Sequence, residues 1–241
     1  MINPSGLDTP ARNTPGRPPR KRHWWRWVLA AAAALVALIV AAVALFIELQ
    51  PAPAPLTLPT SAASAPAGPV DGTWSVGPGS VAGFRVRESA LGFGNDVVGR
   101  TSAVTGTVAV SGRRVISASF RIDLTTVKVN GKAQPQFAQS LGTRDHPAAT
   151  FTLAHPVTLS PAFGSGAAIT VRATGYLAMH GVSHPVTVTV SARRDGVSLQ
   201  AAGSMPVAFS SWGIKGPAGA GFLGSLADHG VAEFFVVLRQ R

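Results

Sequence analysis

Two textures divide this chain. From Val28 to Ile47 twenty consecutive positions are apolar with no polar interruption, and about 20 residues at helical rise cross a ~30 Å hydrocarbon core. That run predicts one transmembrane helix. From Asp71 onward short segments alternate apolar residues with small or polar ones, broken by Gly, Pro, Asn and Asp, the pattern of half-buried antiparallel strands. Candidate strands are Thr73 to Val76, Val81 to Glu88, Ser102 to Val110, Val115 to Leu124, Thr150 to Leu159, Ala167 to Met179, Val186 to Ala192, Val197 to Val207 and Val231 to Arg239. Leu91 to Gly99 and Phe209 to Gly230 read as Gly-rich loops, long enough to be lids or contact surfaces. The sum is an all-β antiparallel barrel of about eight strands over residues 71–241, because closing the sheet removes its edges. A sandwich is the structural alternative.

The phase of the alternation shows what such a barrel would hold. Successive side chains of a strand point to opposite faces. Ile116, Ala118, Phe120, Ile122 and Leu124 therefore share a face, as do Ile169, Val171, Ala173, Gly175, Leu177 and Met179. Val197, Leu199, Ala201, Gly203, Met205 and Val207 form a third set, and Ala232, Phe234, Val236 and Leu238 a fourth. These faces are apolar but rich in Ala, Gly and Val. A barrel of about eight strands is either filled by its own side chains or holds one small ligand, and small inward residues favour the cavity.

Charge and composition place the barrel. Residues 1–27 carry Arg12, Arg17, Arg20, Lys21, Arg22 and Arg26 against Asp8 alone, and Trp24, Trp25 and Trp27 sit at the edge of the apolar run. The basic, aromatic flank puts the N-terminus in the cytoplasm and the C-terminal domain outside. Residues 1–27 are a disordered basic tail by composition, 28–47 the span, and 48–70 a Pro/Ala/Ser-rich linker, a semi-extended spacer without a core. A secretory signal cleaved after Ala44 is the competing reading of the N-terminus, and it exports the same domain. The chain has no cysteine, which excludes disulfides, thiolate metal sites and a lipidated-cysteine anchor. Of the net charge of +11, +5 lies in residues 1–27 and the remaining +6 is scattered over the rest of the chain, so no nucleic-acid footprint is drawn.

Catalytic and metal chemistry find little to stand on. His180 and His184 are four apart, but Gly181, Val182, Ser183 and Pro185 make this a strand-turn-strand, on which the pair does not converge as it would on a helix. No serine lies in a Gly-x-Ser-x-Gly elbow, and Gly92-Phe93-Gly94 is followed by no helix to cradle a phosphate. The chain is read as no enzyme, with no metal and no cofactor. Arg85, Arg87, Arg113, Arg114, Arg193 and Arg194 read mostly as a solvated outer face, with a lipid headgroup or anionic bilayer as the alternative partner.

The order of short motifs through Asp71 to Arg241 resembles the YceI family. Trp74-Ser75-Val76 followed by Ser80-Val81-Ala82-Gly83-Phe84-Arg85-Val86 is similar to that family's opening, and Val98-Gly99-Arg100 through Val104-Thr105-Gly106-Thr107-Val108 to its next hairpin. Gly175-Tyr176-Leu177-Ala178-Met179-His180-Gly181-Val182-Ser183-His184-Pro185-Val186 resembles its "G-x-L-T-hydrophobic-x-G-V-T-x-P-V" hairpin. Pro147-Ala148-Ala149-Thr150-Phe151 looks like its "Y-P-x-hydrophobic-x-F" strand entry, and Ser210-Ser211-Trp212-Gly213-Ile214 like a late loop. The chain departs from the family at Ala133 to Gly142, where an acidic and basic helix is replaced; Pro135 still suits a first helical turn, with Phe137 and Leu141 on one face. The resemblance implies a lipocalin-like barrel that carries an isoprenoid-type lipid, a quinone or polyprenyl chain, in its interior. The candidate lining is Phe84, Val86, Phe120, Ile122, Leu124, Phe151, Leu153, Leu177, Met179, Val186, Val188, Val190, Met205, Val207, Phe234 and Val236. A packed barrel acting as a cell-envelope scaffold through its loops is the other reading.

Overall fold

The computed structural model describes residues 24–48, 52–90, 93–215 and 224–241, with the side chains of the first helix described over 28–42 and at Leu45. It divides into an N-terminal unit, residues 1–49, and a second unit, residues 50–241. The first contains helix α1, Trp24–Glu48. Among the described residues no helix is long and apolar enough to cross a membrane; the stretch 28–42 is shorter than the about 20 residues a span requires. The membrane anchor therefore rests on the sequence. Of the tail read as residues 1–27, residues 1–23 lie outside the described residues, and 24–27 belong to α1.

The second unit contains strands β1 (Gly72–Val76), β2 (Val81–Ala90), β3 (Phe93–Thr101), β4 (Val104–Ser111), β5 (Arg114–Asp123), β6 (Lys128–Val129), β7 (Ala148–Leu153), β8 (Val157–Thr158), β9 (Ile169–Met179), β10 (Val182–Asp195), β11 (Ser198–Ala208) and β12 (Gly224–Gln240). Two short helices interrupt them, α2 (Pro135–Ser140) and α3 (Pro161–Gly164). Every pairing is antiparallel. β1 and β2 both pair with β12, Val76 opposite Leu238 and Val81 opposite Phe235, so they are one strand kinked at 77–80. Buried Ser80 pins that kink: its hydroxyl donates to Gly77 O at 2.7 Å and accepts from Val237 N–H at 3.0 Å. β3 and β4 likewise run as one strand beside β2 and β1. Around the wall the order is β1/β2, β3/β4, β5, β7, β9, β10, β11, β12 and back to β1/β2, an eight-stranded closed barrel.

Four expectations about these strands are corrected. Val197, 72 % exposed, lies in the turn before β11 and not on its inward face, and β12 begins at Gly224, inside the stretch Phe209 to Gly230 read as a loop. Phe93–Thr101 is a strand, not a loop; its unbroken Val97-Val98-Gly99 lacks the alternation that marks the others, because both faces are covered there and Val97 and Val98 are both buried. Ile116 does not share a face with Ala118 and Phe120. Ala109 pairs with Ser117 but Val110 with Val115, a β-bulge that inserts one residue and flips the phase. Ile116 is 50 % exposed, and Val115 takes the inward position.

The linker behaves differently from a free spacer. Residues 52–70 form no strand, as their composition predicts, yet they lie along the outer wall and are held there by side chains read above as solvated. Glu233, its side chain only 3 % exposed, binds Arg100 at 2.8 Å, lies 3.8 Å from Arg85, and accepts from the Leu56 N–H at 3.3 Å. Arg85 and Arg100 donate to the carbonyls of Pro53 and Ala54. Farther along, Arg193 donates to Ser61 O at 2.9 Å, and Arg194 to Ala67 O and Gly68 O at 2.8 and 2.7 Å. Asp195 accepts from the Ser64 N–H at 2.7 Å. Arg193 and Arg194 are buried beneath this strap. A proline-rich segment with no ladder of its own meets part of its backbone hydrogen bonding through side chains of the wall.

Candidate functional site

The barrel is sealed at one end and hollow above it. Trp74, 1 % exposed, packs with Val110, Leu159, Phe163, Leu199 and Leu238, and its indole N–H donates to Val70 O at 2.9 Å. Toward the other end Leu177, Val188, Met205, Val207 and Trp212 form a second cluster. A cavity of about 310 Å³ lies inside the wall, bordered almost wholly by apolar side chains. That places it at the lower end of the ~300–1,000 Å³ typical of ligand pockets.

The cavity exists because four phenylalanines lie flat against the wall. Phe120 rests on Gly106, directly opposite it across β4 and β5, and Phe234 rests on Gly203 across β11 and β12. A Cβ on either glycine would stand 2.7 Å from the ring. Phe84 over Gly99 and Phe151 over Gly175 repeat the arrangement. Each ring thus covers bare backbone, where a side chain at the glycine would tilt it into the lumen. The same substitution of aromatic cover for a missing side chain is a known device of sheets.

Of the residues predicted to line the interior, Phe84, Phe120, Ile122, Leu124, Phe151, Leu153, Leu177, Met179, Val188, Val190, Met205, Val207, Phe234 and Val236 border this cavity. Val86 and Val186 do not. Val86 is buried in the wall beside the β12 bulge, where Gly230 opposes it, and Val186 packs against the Leu177 cluster. Leu124 reaches the lumen from a 3-10 turn, Leu124–Thr126. Asp123 caps that turn through the hydroxyl and the N–H of Thr125, bonds that hold its carboxyl below the ordinary carboxylate range.

Sequence reading missed the parts supplied by short helices and loops. Phe137 and Leu141, on one face of α2 and its cap, border the cavity, and Phe137 stacks on Phe84 with centroids 6.3 Å apart. Phe163, Phe209 and Ile214 also reach it. The i, i+4 spacing of Phe137 and Leu141 was the available signal. His180 and Gly181 form a two-residue hairpin with φ of +50° and +76°, the positive values a type I′ turn needs. His180 Nδ1 donates to Trp212 O at 2.8 Å and His184 Nε2 to Ser211 O at 2.7 Å; the pair serves the loop that follows β11. Among the described residues no group of three His, Cys, Asp or Glu could hold a metal.

Geometry of this kind defines a cavity-bearing antiparallel barrel with an apolar lumen. The chain belongs to the YceI-like domain family, which matches residues 74–233. Among solved structures it is similar to a polyisoprenoid binding domain from Saccharophagus degradans implicated in plant cell wall breakdown, with 16% identity, 70% of this chain and 98% of that one covered, and a TM-score of 0.52. It is also similar to BcnA of Burkholderia cenocepacia, with 17% identity, 68% and 95% covered, and a TM-score of 0.47. No curated protein matches.

Proposed function

We propose that the domain binds an isoprenoid-type lipid, the tail of a quinone or a polyprenyl chain, inside the barrel. The observation that carries this is the hollow apolar lumen of about 310 Å³. Each five-carbon unit withdrawn from water contributes about 4 kcal/mol before ordering costs, taking about 0.8 kcal/mol per carbon. A few units therefore suffice without specific polar contacts. The lumen is too small for a long polyprenyl chain in full, so such a ligand would extend through a mouth. The Saccharophagus degradans domain is described as polyisoprenoid binding, which supports the same ligand class. The scaffold reading requires a filled interior, and the cavity counts against it.

The reading extends to place. The apolar run Val28 to Ile47 behind a basic, Trp-rich flank supports a membrane-held, extracytoplasmic domain. The large apolar side chains described on α1, from Val28 and Leu29 to Ile39 and Leu45, are all exposed, and a helix apolar all round needs an apolar surrounding.

Native mass spectrometry of the full chain released from detergent, with solvent extraction of what co-purifies, tests the ligand. The expected result is an adduct that yields a quinone or polyprenyl lipid. A protein that stays free of adducts after incubation with such lipids would sink the proposal. Retention of the chain in alkali-washed membranes is expected for the anchor; release, or a mature N-terminus just after Ala44, would replace it with a cleaved signal.

A further inference from the structure

The floor of the lumen is a separate piece of chain. β8 and α3, with the two residues between them, bring Leu159 and Phe163 to the cavity border at the sealed end, 5 % and 4 % exposed. Three attachments hold that piece. Val157 of β8 pairs with Val115 of β5, and the Leu159 N–H donates to Arg113 O at 2.9 Å. Arg194 donates to Gly164 O at 3.1 Å from one nitrogen while the other holds the strap at Ala67 O and Gly68 O. Trp74 is buried in the same cluster without bordering the cavity. A floor pinned in three places and packed from behind yields to a longer ligand only at the cost of strain.

The volume above that floor sets how much chain it takes. An apolar cavity of about 150 Å³ accommodates one benzene, six carbons. On that scale about 310 Å³ accommodates about a dozen carbons, two to three isoprene units. A polar terminus is costly to bury without a hydrogen-bond partner, and the side chains of Leu159, Phe163, Val110 and Leu238, which border the cavity in the sealed-end cluster, offer it none. The apolar end of a ligand therefore enters first and stops at the floor.

We propose that the lumen is a chain-length gauge: Phe163 and Leu159 are its stop, and its capacity is the terminal two to three units of an isoprenoid chain. The proposal rests on the lipid-binding reading above and adds the length of chain that is recognised. Each unit inside the lumen leaves water and adds affinity, whereas a unit beyond the mouth adds little. Affinity thus climbs to about fifteen carbons and then levels off. A short free isoprenoid and the end of a long one share this chemistry.

The test offers the full chain pairs of isoprenoid alcohols at equal free aqueous concentration and compares their adducts by native mass spectrometry. Farnesol is expected to exceed geraniol about tenfold or more, and geranylgeraniol to exceed farnesol by less than about threefold. Phe163→Ala removes a six-carbon ring, room for about one more unit, and should carry the tenfold step on to geranylgeraniol. Leu159→Ala, the milder truncation, should move the step the same way should the Phe163 variant fail to fold. Ala118→Leu, which adds bulk to a cavity-border position of the sealed-end cluster, should erase the gain of farnesol over geraniol. Solanesol added in the micelles that carry the chain separates the two sources: displacement of farnesol assigns the lumen to the end of a long chain, no displacement to a short ligand, and the gauge holds in either case. A tenfold gain continuing to geranylgeraniol in the parent protein, no gain from geraniol to farnesol, or folded variants that leave the steps in place would overturn the gauge and leave lipid binding standing. Adducts of none of the alcohols would overturn the lipid-binding reading itself.

Discussion

Glu233 and Phe234 are neighbours on β12, and the two faces of the wall they occupy are built on opposite principles. Inward, Phe234 lies over Gly203 and helps leave a space that water has little reason to enter. Outward, Glu233 is as buried as the core yet is surrounded by Arg100, Arg85 and the backbone of the strap. The inner face is apolar and underfilled; the outer strip is ionic and hydrogen-bonded, with Arg85 Nε and Arg194 Nε left without a partner among the described residues. Stability and capacity are thereby separated across a single sheet thickness. Capacity needs missing atoms, which cost packing energy, and the outer strip adds specific contacts where no ligand has to fit.

Breaking the outer strip should have the larger effect. Glu233→Ala takes from Arg100 its carboxylate at 2.8 Å and leaves Arg85 with the carboxylate of Asp96 alone, at 3.1 Å, beneath the strap. We expect destabilisation of about 2–4 kcal/mol, somewhat below the loss for a fully buried pair because Arg100 keeps partial solvent access. Urea unfolding measures it, and the extraction of bound lipid from the still-folded variant should be unchanged. If lipid is lost in proportion to stability, the two faces are not separable.

On the inner face Gly203→Ala sets a methyl 2.6 Å from the Thr189 carbonyl oxygen and 2.7 Å from the Phe234 ring, so the strand must shift there and the ring is pushed toward the lumen. Overpacking of this kind costs about 1–3 kcal/mol, and here it also removes ligand space. Lipid content should therefore fall more than in Glu233→Ala although stability falls less. Equal lipid content in folded Gly203→Ala would mean that the ring has another place to go and that the glycine is not what keeps the lumen open.

A smaller effect is expected where the strap is tied at its far end. Asp195→Ala removes the acceptors of Ser64 N–H and of Gln200 Nε2, each at 2.7 Å, and should cost about 1–2 kcal/mol at about 0.5–1.5 kcal/mol per hydrogen bond. Hydrogen exchange should rise in residues 61–68 and not in β9. A loss spread evenly over the barrel would show that the strap is not a local unit.

The sequence made the inner face more legible than the outer one, for a physical reason. Period-two alternation reports burial of apolar side chains, so β9, β11 and β12 could be read for direction residue by residue, and most of their inward residues border the cavity. The glycines beneath Phe120, Phe151 and Phe234 look like mere smallness in sequence; only the register, which places Gly106 against Phe120 and Gly175 diagonally from Phe151, turns them into platforms for rings. The strap was illegible because its partners are arginines and a glutamate, residue types that read as solvated wherever they fall. Nothing local in Arg193-Arg194 says that residues 61–68 will cover them.

Ile116 supplies the finest test of the comparison, because alternation and register disagree about which face it belongs to. Counted from Ala118 and Phe120 it should point inward, and truncating it would then cost on the order of 1 kcal/mol or more for a buried aliphatic side chain. The bulge that pairs Val110 with Val115 instead of Ile116 turns it outward. Ile116→Thr should therefore change stability by no more than about 0.5 kcal/mol and leave lipid content alone, since threonine keeps the β-branched shape a strand favours. A substantial loss of stability or lipid would place Ile116 inside, shift Val115 to the surface, and redraw the sealed end of the barrel, because Val115 and Val110 contribute to the packing around Trp74 only in the bulged register.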